Sequence, residues 1–139
     1  MNMLSRTLTS LALVTTLLLA ACGGPTVYAL VGTPRSVGTD GTVEVEATDG
    51  GNFLVNITLN HLPPPARLGD GLTTYVVWFI RDGVAPTLAG ALNFDEEERS
   101  GSMMATTPYS QFRVRVTAEE TRDVASPSTI VVADQLVEE

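Results

Sequence analysis

The sequence predicts an all-β protein, built as an antiparallel two-sheet sandwich of about seven to eight strands. Apolar and polar residues alternate with a period of two across several short runs. Gly and Pro interrupt these runs throughout, where they stop helices by backbone entropy or by steric clash. Beyond the first 22 residues, no long window carries the 3.6-residue apolar stripe of an amphipathic helix.

Taken in order, residues 27–31 form a weak first strand. Val43, Val45 and Ala47 then share one face, with Glu44 and Glu46 opposite. Phe53, Val55, Ile57 and Leu59 repeat the pattern against Asn56, Thr58 and Asn60. Residues 75–80 (YVVWFI) are apolar on both faces, as a central or doubly covered strand would be. Residues 88–94 and 102–106 are weaker candidates. Phe112, Val114 and Val116 alternate with Gln111, Arg113, Arg115 and Thr117, and residues 129–133 close the series. Short strands with frequent turn signals are the pattern of an Ig-like sandwich. In such a core Trp78 is expected between the sheets, as the residue around which they pack.

Composition excludes several functions. Sixteen acidic residues oppose eight basic ones, all of them Arg, for a net charge of −8. Nucleic-acid binding by counterion release needs clustered cations, so no nucleic-acid partner is expected. A single Cys cannot close an internal disulfide, and a single His excludes a multi-His metal centre. No cofactor and no metal site are expected.

The N-terminus carries the most specific signal. Arg6 precedes residues 11–21 (LALVTTLLLAA), an apolar stretch too short for the roughly 20 residues that span a bilayer as a helix. It fits the h-region of a cleaved signal peptide. Leu19-Ala20-Ala21-Cys22 follows, and this resembles the lipobox of bacterial lipoproteins. The resemblance implies that Leu19, Ala20 and Ala21 are read by the signal peptidase and that Cys22 becomes an acylated N-terminus. More than one acyl chain meets the condition for stable anchoring. The expected organisation is a signal peptide over 1–21, a lipidated tether over 22–26 and a sandwich domain over 27–139. Gly23, where that family often has Asp in proteins kept at the inner membrane, favours the outer membrane.

Strand parity suggests how such a domain would stand. Successive antiparallel strands place the connections 60–72, 95–101 and 118–128 at one end. These carry Asp70, Asp95, Glu96, Glu97, Glu98, Glu119, Glu120 and Asp123 against Arg67, Arg99 and Arg122, a balance of eight acids minus three bases, −5. The tethered end is assigned Asp40, Asp49 and Asp82 against Arg35 and Arg81, a balance of −1, with Asp134, Glu138 and Glu139 nearby. Repulsion from an anionic surface acts within about 8–10 Å and would turn the acidic end outward.

Candidate sites are few. Pro63, Pro64 and Pro65 could present a polyproline II surface, or could simply stiffen a long loop. The run Asp95-Glu96-Glu97-Glu98 holds potential Ca²⁺ oxygens but lacks the spaced pattern of an EF-hand loop, so a solvated turn is expected. Together with Glu119 and Glu120 these residues make up the candidate binding loops. His61 is the only imidazole, and no G-x-S-x-G elbow supplies it with a nucleophile, so no catalytic residue is expected. Asn56-Ile57-Thr58 matches a glycosylation pattern but reads as strand. Arg113 and Arg115 are expected to pair with acids across the sheet.

Tyr75-Val76-Val77-Trp78, residues 114–119 (VRVTAE) and Pro127-Ser128-Thr129 together resemble the extracytoplasmic β-domain of anti-sigma-K-type regulators. That resemblance implies a β-domain outside the cytoplasm, with acylated Cys22 standing where the family has a transmembrane helix. The expectation is therefore a lipid-anchored, non-catalytic envelope module that binds or supports. The alternative is an accessory or sensor subunit docking another envelope protein through its acidic loops; an envelope hydrolase has the least support.

Overall fold

The structure, a computed structural model, describes residues 23–139. Leu19, Ala20, Ala21 and Cys22 of the lipobox lie outside the described residues. Nine strands follow in order: β1 (Thr26–Val31), β2 (Asp40–Ala47), β3 (Phe53–Asn60), β4 (Thr74–Ile80), β5 (Thr87–Ala91), β6 (Asn93–Asp95), β7 (Ser100–Thr107), β8 (Gln111–Glu119) and β9 (Val131–Glu138). They form a five-stranded sheet in the order β1-β2-β3-β7-β6 and a four-stranded sheet in the order β5-β4-β8-β9. Every pairing is antiparallel.

The protein is thus the all-β antiparallel sandwich that the alternation predicts. Val43, Val45, Val55, Ile57 and Leu59 from the first sheet meet Tyr75, Val77, Phe79, Phe112, Val114 and Val116 from the second in one buried core. Each such side chain contributes about 1.5–3 kcal/mol by leaving water. The orders β2-β3-β7-β6 and β4-β8-β9 reproduce the A-B-E-D and C-F-G sheets of an Ig-like domain. β5 occupies the position beside strand C, and β1 is added at the opposite edge.

Three sequence expectations change. Residues 88–94 are not one strand. β5 pairs with β4, the Leu92 N–H still reaches the Tyr75 carbonyl at 2.9 Å, and from Asn93 onward the chain pairs with β7 of the other sheet. The strand therefore switches sheets at Leu92, which raises the count to nine. The last strand begins later than residue 129 and runs to Glu138, because Val137 alternates inward beyond the polar residues Asp134 and Gln135.

Trp78 is buried but does not lie between the sheets. Tyr75, Val77 and Phe79 take the inward positions of β4, so Val76 and Trp78 face outward. Trp78 is only 1% exposed there, with Leu88 and Arg115 as its cross-strand neighbours. Its Nε1 donates to Thr117 Oγ1 at 2.9 Å, Thr117 Oγ1 donates to Glu119 Oε1 at 2.6 Å, and the Ser128 N–H donates to the same carboxylate oxygen at 2.7 Å.

One open side of the sandwich is closed by β1 against β9. The Tyr28 hydroxyl donates to the Glu138 carbonyl at 2.6 Å, Thr33 N–H to the Val132 carbonyl at 2.9 Å, and Gly32 bridges Ala133. Among the described residues, no helix is long and apolar enough to cross a membrane.

Candidate functional site

The three long connections do converge. Leu62 N–H donates to the Arg99 carbonyl at 2.9 Å, and Thr73 Oγ1 donates to the Glu120 carbonyl at 2.7 Å. They form one end of the sandwich, as strand parity implies. The connection after β1 belongs to the same end, which corrects the placement of Asp40 and Arg35. Antiparallel strands put the close of β1 beside the start of β2 and the close of β3, and Asp40 pairs in register with Asn60. Moving one acid and one base leaves the loop balance unchanged: nine acids minus four bases is −5 at this end, and Asp49 and Asp82 against Arg81 give −1 at the other. Glu138 and Glu139 sit at the tethered end, where Thr26 Oγ1 donates to Glu139 Oε2 at 3.1 Å. Asp134 does not. It lies partway along β9, opposite Arg115.

The proline run is pinned. The Pro63 carbonyl accepts the Tyr75 hydroxyl, and buried Pro65 opens a 3₁₀ turn, Pro65–Arg67. Burial pushes the Tyr75 phenol pKa up, with nearby Arg99 opposing the shift. A run held at both ends stiffens the loop, and this leaves less of it free as a recognition surface.

Asp95 turns its carboxylate inward on its own loop. Its Oδ1 accepts the N–H groups of Glu97 and Glu98, each at 3.0 Å, and so closes the turn while Glu96, Glu97 and Glu98 point to solvent. Glu119 leaves the candidate loop surface altogether: it is 5% exposed and committed to Thr117 and Ser128. Only Glu120 of that pair remains exposed.

His61 Nδ1 lies 2.5 Å from Asp40 Oδ1, with side chains 70% and 60% exposed. Its backbone has φ 57°, and the facing Arg99 has φ 53°. The His61 carbonyl accepts Thr39 Oγ1 at 3.2 Å and Arg99 Nη2 at 3.4 Å. The hydroxyls of Ser36 and Thr39 bond to each other at 2.5 Å, and that of Thr39 reaches the His61 backbone rather than its ring. The pair therefore ties β2 to the end of β3 without presenting a nucleophile to the imidazole. Among the described residues, no three His, Cys, Asp or Glu side chains gather as metal ligands.

Among the described residues, concavities lie at both ends of this framework. A shallow one of about 340 Å³ lies at the acidic end, against Thr73, Leu92, Phe94 and Arg122. The larger, about 610 Å³, lies at the tethered end on the outer face of the four-stranded sheet. Ile80, Arg113 and Leu136 form a single cross-strand row in its floor, and Gln111 pairs with Glu138 in the next row. The turn after β4 supplies Arg81 and Asp82, and the turn before β8 supplies Pro108, Tyr109 and Ser110. The Arg81 guanidinium carbon lies 3.5 Å from the centre of the Tyr109 ring.

Sequence reasoning missed this groove. Arg81 and Tyr109 are 28 positions apart, and only the pairing of β4 with β8 makes their turns neighbours. Pro108-Tyr109-Ser110 was legible as a turn, but nothing local says what it faces.

Compared with known protein families, with curated proteins and with solved structures, the chain matches none.

Proposed function

We propose that this chain is a lipid-anchored, non-catalytic protein of the bacterial cell envelope, whose sandwich serves as a binding or structural module. The observation that carries the reading is the order of residues 11–26: an apolar stretch, Leu19-Ala20-Ala21-Cys22, and then a short tether into β1 at Thr26. The four residue steps from Cys22 to Thr26 reach at most about 14 Å, so the anchored domain would stand directly on its membrane. Gly23 favours delivery to the outer membrane. The burial of β4 from Tyr75 to Phe79 supports a self-contained module, because its apolar run offers no free sheet face for a partner.

A second reading rests on the exposed acids Glu96, Glu97, Glu98 and Glu120, grouped at the end opposite Thr26. It makes the protein an accessory subunit that meets a basic surface of another envelope protein.

Mass spectrometry of the protein purified from bacterial membranes tests the anchor. The expected mature N-terminus is Cys22 carrying a diacylglyceryl group, and Cys22→Ser should remain unprocessed and unacylated. A mature terminus free of fatty acid would overturn the reading.

A further inference from the structure

We infer that the groove at the tethered end is a receptor for a phosphoethanolamine lipid headgroup, which fixes how the domain sits on its membrane. The inference rests on the anchored reading above for its location, and on the groove's own chemistry for its ligand.

The groove offers both signs of charge, with Ile80 and Leu136 as the apolar residues of its floor. Arg81 is the available cation: among the described residues no carboxylate lies within ion-pair distance of it. Its guanidinium rests against the Tyr109 ring, which restrains the side chain, and among the described residues its N–H groups have no hydrogen-bond acceptor. A planar donor fork held in one orientation suits a phosphate diester, with less side-chain entropy lost on binding. Arg113, by contrast, is already committed to Asp134, as is Arg115 with Nε 2.6 Å from Asp134 Oδ2.

Opposite charge is supplied by Asp82 and Glu138. Glu138 Oε1 accepts Gln111 Nε2 at 2.9 Å, which orients the carboxylate and leaves its second oxygen to accept. A primary ammonium, with three donors, can use these carboxylates. A quaternary ammonium cannot donate, and it is usually recognised by several aromatic faces; here Tyr109 is the one exposed aromatic ring of the lining, and Arg81 already sits on one of its faces. The groove thus discriminates ethanolamine from choline. Ile80 and Leu136 complete the match by offering apolar contact to the glycerol and first methylenes.

Position agrees with chemistry. Glu138 touches Tyr28 of β1, two residues into the strand that the tether enters, through the Tyr28 hydroxyl and the Glu138 N–H at 3.2 Å. A headgroup in the groove would therefore lie within a short reach of the anchoring residue.

The test uses the full chain carrying Cys22→Ser, so that no covalent lipid competes, titrated by calorimetry with dihexanoyl-phosphatidylethanolamine below its micelle concentration. Saturable one-to-one binding is expected, with slowed amide exchange over residues 108–113. Arg81→Gln and Tyr109→Ala should each weaken binding by about tenfold or more, while Arg122→Gln at the far end should not. Dihexanoyl-phosphatidylcholine should bind at least about tenfold more weakly. Equal affinity for the two lipids, or affinity unchanged by Arg81→Gln, would overturn the inference, as would absence of binding by a protein whose circular dichroism is native. Free phosphoethanolamine binding as tightly as the lipid would assign the groove to a small solute instead. Because no acyl anchor is present, failure here is separate from failure of the lipidation test.

Discussion

The indole of Trp78 donates its N–H to Thr117 Oγ1 across adjacent strands, on the outer face of a sheet whose core lies on the other side. Glu119 receives the Thr117 hydroxyl in turn and holds the β8–β9 loop through Ser128. A buried donor left without its acceptor costs about 1–3 kcal/mol. Thr117→Val should lower stability by that amount, and Glu119→Ala by a similar or larger amount, since two donors lose their partner. Trp78 is the only tryptophan, so urea denaturation followed by its fluorescence reports both losses directly.

Gly41 sets a sharper limit. It pairs with Leu30 on one side and Leu59 on the other, and a Cβ there would run into the Thr58 carbonyl oxygen. β3 cannot retreat because β7 holds its other edge. Gly41→Ala should cost about 3 kcal/mol or more. The expected result is loss of the cooperative unfolding transition at temperatures where the parent chain is folded, read by circular dichroism.

Stability should fall at alkaline pH because of Tyr75. Burial raises its phenol pKa above the ordinary value of 10, so the folded chain keeps this proton after the unfolded chain has lost it. Fewer protons bound in the unfolded state mean that stability decreases as pH rises above about 10. The Tyr28 phenol is raised too, first by burial and then by its bond to Glu139, and contributes in the same direction. Tyr75→Phe should flatten the decline without abolishing it. Denaturant midpoints measured between pH 8 and 11 give the comparison.

Asp134 takes an Arg on each oxygen: Arg113 donates to Oδ1 and Arg115 to Oδ2. The carboxylate is mostly shielded, so its loss strands two cations side by side. Asp134→Ala should destabilise the protein by about 1.5–3 kcal/mol. Arg115→Gln alone should cost less, because Arg113 still satisfies the acid. A thermal melt of the two variants ranks them.

Strand alternation was legible wherever one face is polar. Val43 and Val45 against Glu44, and Phe112 to Val116 against the arginines, declare their inward side because only one register buries the apolar set. The same rule is silent for residues 75–80, where both faces are apolar; the sandwich pattern favours Trp78 inward, whereas Tyr75, Val77 and Phe79 take the core-facing positions. The switch at Leu92 was equally hidden. Gly90 lies two residues before it at a register shift of β5 against β4, but a lone glycine inside a strand does not announce a change of sheet, which depends on which neighbour offers hydrogen bonds on either side. At the acidic end, the convergence of the loops followed from strand parity. That Glu119 is spent internally and that Asp95 closes its own turn depend on backbone N–H groups, whose direction composition does not encode. The groove at the other end combines two distant turns, so its charges could be counted from the sequence but not grouped.

Leu92 has a mechanical consequence. The backbone there is bonded to one sheet through its own N–H and delivered to the other at the next residue. Neither layer can slide or peel away without pulling on its counterpart, so amide protons in both layers should exchange through one shared global opening rather than layer by layer.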